Sequence, residues 1–138
     1  MDAYGHVNNA KFLCLLEEAR VHMFTHPDGG SMVRDGIVVV GARIDYLTPL
    51  VYREAPLPVE VWTAALGGAD FELCYEIANG VSGDADRPRC VYARASTTMA
   101  AFDLAGGRPR RLTDEERALL EQWQDDPVVL RPRRERTP

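Results

Sequence analysis

Between Asn9 and Phe24, the apolar residues Phe12, Leu16, Ala19 and Met23 recur at spacings of three and four. That is the period of a helix with one face turned to a core. Leu13 and Leu15 widen the stripe, which predicts a largely enclosed helix. Asn8 or Asn9 supplies its N-cap, because a short side-chain oxygen there accepts a bond from a backbone amide with no partner inside the helix. The pattern stops at His26-Pro27-Asp28-Gly29-Gly30, where proline and glycine break it.

Downstream the period shortens to two. Ile37-Val38-Val39-Val40 continues through Ala42, Ile44 and Tyr46 to Pro49, and its β-branched content predicts a strand. From Leu57 to Leu66, Val59 and Val61 alternate with Glu60 and Trp62, and Gly67-Gly68 turns the chain into the next strand. There Phe71, Leu73, Tyr75 and Ile77 fall at every second position with Glu72 and Glu76 between them, the signature of one buried and one wet face. After a loop rich in Gly, Asp and Pro, a long strand is predicted from Cys90 to Asp103. Its small residues Ala93, Ala95, Ser96, Ala100 and Ala101 permit close packing against a helix. Thr113 followed by Glu116 has the spacing of a capping box and opens a short helix through Leu119, Leu120 and Trp123, expected on the outside. One enclosed helix followed by four strands joined mostly by turns predicts an α+β fold, with an antiparallel sheet wrapped around the helix. The folded domain is expected over residues 1–124. Residues 125–138, where Arg131, Arg133, Arg134 and Arg136 alternate with prolines and polar residues, are expected to form a disordered tail.

Composition narrows the function classes. A chain of 138 residues is long enough for one core, and its 46% hydrophobic and 27% charged content is that of an ordinary globular protein. No apolar run approaches the roughly 18 residues that span a bilayer, and no secretion signal stands at the start, so the expected location is cytoplasmic. A net charge of −5 argues against nonspecific nucleic-acid binding. Cys14, Cys74 and Cys90 are widely spaced in apolar surroundings and read as reduced core residues. His6, His22 and His26 do not form a recognisable ligand set, so no metal is expected.

The chemistry concentrates in Asp2-Ala3-Tyr4-Gly5-His6-Val7-Asn8-Asn9-Ala10-Lys11-Phe12, followed at helical distance by Glu17-Glu18-Ala19-Arg20. This segment closely resembles the signature of the 4-hydroxybenzoyl-CoA thioesterase-like branch of the hot-dog superfamily. A weaker resemblance continues through Ala42–Leu50 and the strand near Ala93 to Asp103. It implies a hot-dog fold and hydrolysis of an acyl thioester of coenzyme A or an acyl carrier protein, by a homodimer or homotetramer. Coenzyme A then enters as part of the substrate and no separate cofactor is needed. The branch carries a further strand just ahead of the acidic residue, whereas here the sequence opens at Met1-Asp2: either the natural N-terminus lies further upstream, or an internal methionine has been taken as the start, or the strand has been lost.

The same resemblance distributes the roles. Asp2 matches the acidic position that acts as nucleophile or as general base for water, and a carboxylate suits either. Asn9 contributes its backbone amide, an orphan donor at a helix N-terminus, to polarise the thioester carbonyl. Gly5 allows a sharp turn and close backbone approach, while His6, Val7 and Asn8 lie along the substrate, with His6 chiefly a structural part of the turn. Arg94, with Arg89 and Arg34 as alternatives, is expected to meet the phosphates of coenzyme A. One of Glu17 and Glu18 is expected to pair with Arg20 or Lys11. Leu47, Trp62 and Phe71 are candidates to line the acyl pocket. The competing functions are a non-catalytic acyl-CoA binding or sensing protein and, further off, a hot-dog hydratase.

Overall fold

The computed structural model describes residues 8–25, 36–51, 57–80 and 88–133. Helix α1 (Asn9–Thr25) leads into strand β1 (Ile37–Tyr46), then β2 (Val59–Leu66), β3 (Asp70–Ala78), β4 (Val91–Asp103), the short β5 (Arg108–Pro109) and helix α2 (Asp114–Gln122). The strands form one antiparallel sheet in the order β1-β4-β3-β2, with β5 paired to β4, so the α+β expectation holds.

Alternation decides which side of the sheet meets α1. On β3, Phe71, Leu73, Tyr75 and Ile77 are buried. On β4, Ala93, Ala95, Thr97, Met99 and Ala101 are buried on the same face, and the alanines leave room for a helix above them. Phe12, Leu16, Met23 and Phe24 of α1 join these residues in one core cluster. The enclosure of the helix is less complete than its sequence predicts: Leu13 is 50% and Val21 53% exposed. A single sheet covers a single side of a helix, so the widened part of the stripe stays open. Bulges interrupt the register between Val39 and Gly41 on β1 and between Thr63 and Ala65 on β2. Each adds local twist and helps the sheet curl.

Gly36, which opens β1, has a φ of 102°, and a Cβ there would lie 2.3 Å from the Phe102 carbonyl oxygen. Only glycine fits both the backbone angle and the close approach. Thr113 and Glu116 form the full capping box of α2. This helix does not sit merely on the outside, since Leu119 and Leu120 belong to the core.

The chain beyond α2 also departs from expectation. Instead of leaving the domain at residue 125, it crosses the face of the sheet opposite α1. The Asp125 amide donates to the Thr63 carbonyl at 2.9 Å, the Trp62 indole to the Asp126 carbonyl at 2.8 Å, and the Arg131 amide to Asp45 Oδ2 at 2.5 Å. Arg43 donates to the Arg131 carbonyl. Residues 125–131 thus form a strap over β2, β3 and β1, held by backbone groups that composition does not reveal.

Candidate active site

The N-terminus of α1 is built by Asn8. Its side-chain oxygen accepts from the Ala10 amide at 2.8 Å and its carbonyl accepts from the Lys11 amide at 2.9 Å, so Asn8 is the N-cap. Asn9 is then the first helical residue, with its amide at the exposed positive end of the helix dipole. Among the described residues no acceptor meets that amide. Across the gap to the sheet, the Tyr46 hydroxyl donates to the Asn9 carbonyl at 3.1 Å, and the Tyr46 ring meets Phe12 edge to face, with centroids 5.3 Å apart. Sequence gives no hint of this contact between residues 37 positions apart.

Four candidates from the motif, Asp2, Gly5, His6 and Val7, lie outside the described residues, as does Arg34. Arg94 is described, and the alternation of β4 carries its side chain to the face opposite α1. There its Nε donates to Glu76 Oε2 at 2.9 Å. Arg89 reaches the same carboxylate and Glu60 at 3.1 Å. Burial alone would raise the Glu76 pKa, but the two arginines outweigh it and hold the carboxyl below its ordinary range. Arg94 and Asn9 of one protomer therefore stand on opposite sides of the sheet.

Arg20 turns inward rather than along the helix surface. Its Nη1 donates to the Tyr75 hydroxyl at 3.3 Å, and that hydroxyl shares a 2.7 Å bond with Thr97 Oγ1. Burial pushes the Tyr75 phenol up against the lowering effect of both bonds. A sequence signal for this cluster exists: Arg20 continues the four-residue spacing of Phe12 and Leu16, and a cation on an apolar stripe needs a polar partner inside.

A cavity of about 570 Å³ lies between α1 and β2. Leu15, Ala19 and Met23 form its helical wall and Leu57, Val59 and Val61 its strand wall. Trp123 also lines it, with Glu18 and His22 as polar residues four apart on α1. The pocket residues expected from sequence are elsewhere. Phe71 is core, packed edge to face on Phe24 at 6.3 Å, and Trp62 is bound to the strap on the other face. No group of three or more His, Cys, Asp or Glu side chains among the described residues could hold a metal ion. No helix among them is long and apolar enough to cross a membrane.

Against known proteins, the profile of the thioesterase-like superfamily matches residues 1–124. The probable thioesterase YbaW from Escherichia coli is 31% identical, with a TM-score of 0.72 over 89% of this chain and 90% of that one. A thioesterase from Thermus thermophilus, complexed with coenzyme A and zinc, is 29% identical, with a TM-score of 0.67 over 87% of each chain. The PA5185 protein of Pseudomonas aeruginosa shares the fold at 20% identity, with a TM-score of 0.74 over 92% of this chain and 85% of that one. No curated protein matches the chain.

Proposed function

The chain belongs to the thioesterase-like superfamily, and from that premise we propose that it hydrolyses an acyl-coenzyme A to a carboxylic acid and free thiol. The observation that carries this reading is the Asn9 amide: an exposed N–H at the start of α1 that meets no acceptor among the described residues, beside a cap that already satisfies its neighbours. When a nucleophile adds to a thioester carbonyl, the oxygen takes up negative charge, and a fixed donor at a helix N-terminus stabilises that charge as it forms. The tetrahedral centre then collapses, restoring the carbonyl and expelling the thiolate. Asp2 is the proposed partner, either attacking the carbonyl carbon itself or taking a proton from the water that does. Gly5, His6, Val7 and Asn8 connect the two groups along the chain and would flank the substrate. Arg94 donates to Glu76 on the far face, so its proposed contact with the coenzyme A phosphates would lie away from the Asn9 end of the same protomer.

The reaction needs only protein groups and water, with coenzyme A supplied by the substrate; the relative crystallised with coenzyme A supports that choice of thiol carrier. The proposal includes a cytoplasmic location and a homo-oligomer, a dimer or tetramer; the edge of β1, which no strand covers among the described residues and where Val39 and Val40 are 46% and 65% exposed, supports the assembly.

Free-thiol release from short, long and aromatic acyl-CoAs tests the reading. The Asp2→Asn variant is expected to lose at least about a hundredfold in kcat while still binding acyl-CoA. Undiminished turnover in that variant removes Asp2 from the mechanism. Acyl-CoA binding with no thiol release from the wild-type protein makes it a binding or sensing protein, and turnover of an enoyl-CoA without thiol release makes it a hydratase.

A further inference from the structure

We propose that Tyr46 is a positioning residue for the oxyanion-binding amide, holding the first turn of α1 so that the Asn9 N–H keeps one direction. The inference rests on the thioesterase reading above. Two peptide planes flank Asn9. The plane between Asn8 and Asn9, which carries the Asn9 N–H, is held by the 2.9 Å bond from the Lys11 amide to the Asn8 carbonyl. The plane between Asn9 and Ala10 is held at its nitrogen by Asn8 Oδ1, at 2.8 Å, and at its oxygen by the Tyr46 hydroxyl, at 3.1 Å. A backbone carbonyl has two lone pairs, so the Asn9 oxygen accepts from Tyr46 without giving up its helical bond. Asn8 ties this turn only to itself. Tyr46 alone among these groups ties it to the sheet.

Tyr46 is suited to that task because its own place is rigid. It pairs with Ala93 of β4, and the next two residues, Leu47 and Thr48, donate their amides to the Tyr92 carbonyl at 2.8 and 3.2 Å. Its ring is braced by the buried Phe12, one helical turn beyond Asn9. The first turn of an isolated helix frays, and an oxyanion donor works only if its direction is set before the charge develops. A hydroxyl anchored on β1 removes that freedom at the site where the reaction needs it removed.

The test is Tyr46→Phe, which deletes the hydroxyl and keeps the ring against Phe12. A 3.1 Å O–H···O bond is long and its loss correspondingly modest, so kcat is expected to fall about three- to fivefold with KM and thermal midpoint little changed. In ¹⁵N-labelled protein, the Ala10 amide, which shares the peptide plane with the Asn9 carbonyl, should shift, and the order parameters of Asn9 and Ala10 should fall. An unchanged kcat in active enzyme, or a loss matched by a fall in stability, overturns the inference. Absence of thiol release from wild-type protein sinks the thioesterase reading instead. The amide spectra then decide whether Tyr46 orders the turn, and unchanged shifts and order parameters overturn that as well.

Discussion

Glu116 is a carboxylate with about 1% of its side chain exposed, a place where an unpaired charge would cost several kcal/mol. Arg110 meets it with both terminal guanidinium nitrogens, at 2.7 and 2.9 Å, and the Thr113 amide donates to it at 2.8 Å. Burial on its own would raise the pKa. The arginine, followed by the Thr113 bonds, reverses that and leaves it below the ordinary 4.5. A carboxyl depressed on folding contributes stability that is fully present above its unfolded pKa and is lost as pH falls through the folded one. Glu116→Gln keeps a capping-box acceptor but removes the charge, so urea denaturation at pH 7 should show a loss of about 2–3 kcal/mol. That gap should close as pH is taken below the unfolded value of about 4.5, and a gap independent of pH would show that shape rather than charge does the work. At this scale the sequence is legible where partners are local. Thr113 and Glu116, or Asn8 and its helix, stand within one turn of each other, and propensity sees them. Arg110 on Gly36, Tyr46 on Asn9 and Arg20 on Tyr75 are brought together only by strand register, which a one-dimensional reading does not supply.

The elements themselves are legible because burial imposes their period. β3 and β4 each turn one face to α1, and the alternation in their sequences reports it directly. The strap is illegible for the converse reason: residues 125–131 bury little of their own surface and are held through backbone atoms, which every residue possesses. Their effect falls on Cys74, which alternation assigns to the outer face of β3 and which is nevertheless 0% exposed. The Val128 amide lies 3.4 Å from its sulfur. Burial raises the thiol pKa to about 11, against a small lowering by that amide, so at neutral pH almost no thiolate is present. Removing residues 126–138 should therefore expose and activate Cys74. With Cys14 and Cys90 replaced by serine, the remaining thiol should react at least about tenfold faster with a disulfide reagent after truncation than before it. Equal rates would mean that the strap is not what closes this face.

For the whole molecule, the proposed assembly turns on which edge of the sheet is free to meet another copy. A four-strand path has two ends, and unpaired strand edges recruit partners unless they are covered. At the β2 end the Trp123 carbonyl and the Asp125 amide already bond Thr63 on its outer side, both at 2.9 Å. At the β1 end no strand follows among the described residues. The open edge there carries Val39 and Val40 in exposed positions, and a Cβ added at Gly41 would meet nothing within 4 Å. The half-exposed Leu13 and Val21 add apolar surface to the open side of α1, beside the exposed Glu17, Glu18 and His22. An apolar edge that no strand covers among the described residues, with a strapped edge on the other side, would direct the proposed association through β1. Sedimentation velocity at micromolar concentration should accordingly give a dimer or a multiple of it. Lysines at both Val39 and Val40 would place like charges across an antiparallel contact, and should yield a monomer with an unchanged circular dichroism spectrum. A folded double variant that still sediments as the wild type would move the interface away from β1, whereas a monomeric wild type would leave the open edge without a partner of its own kind.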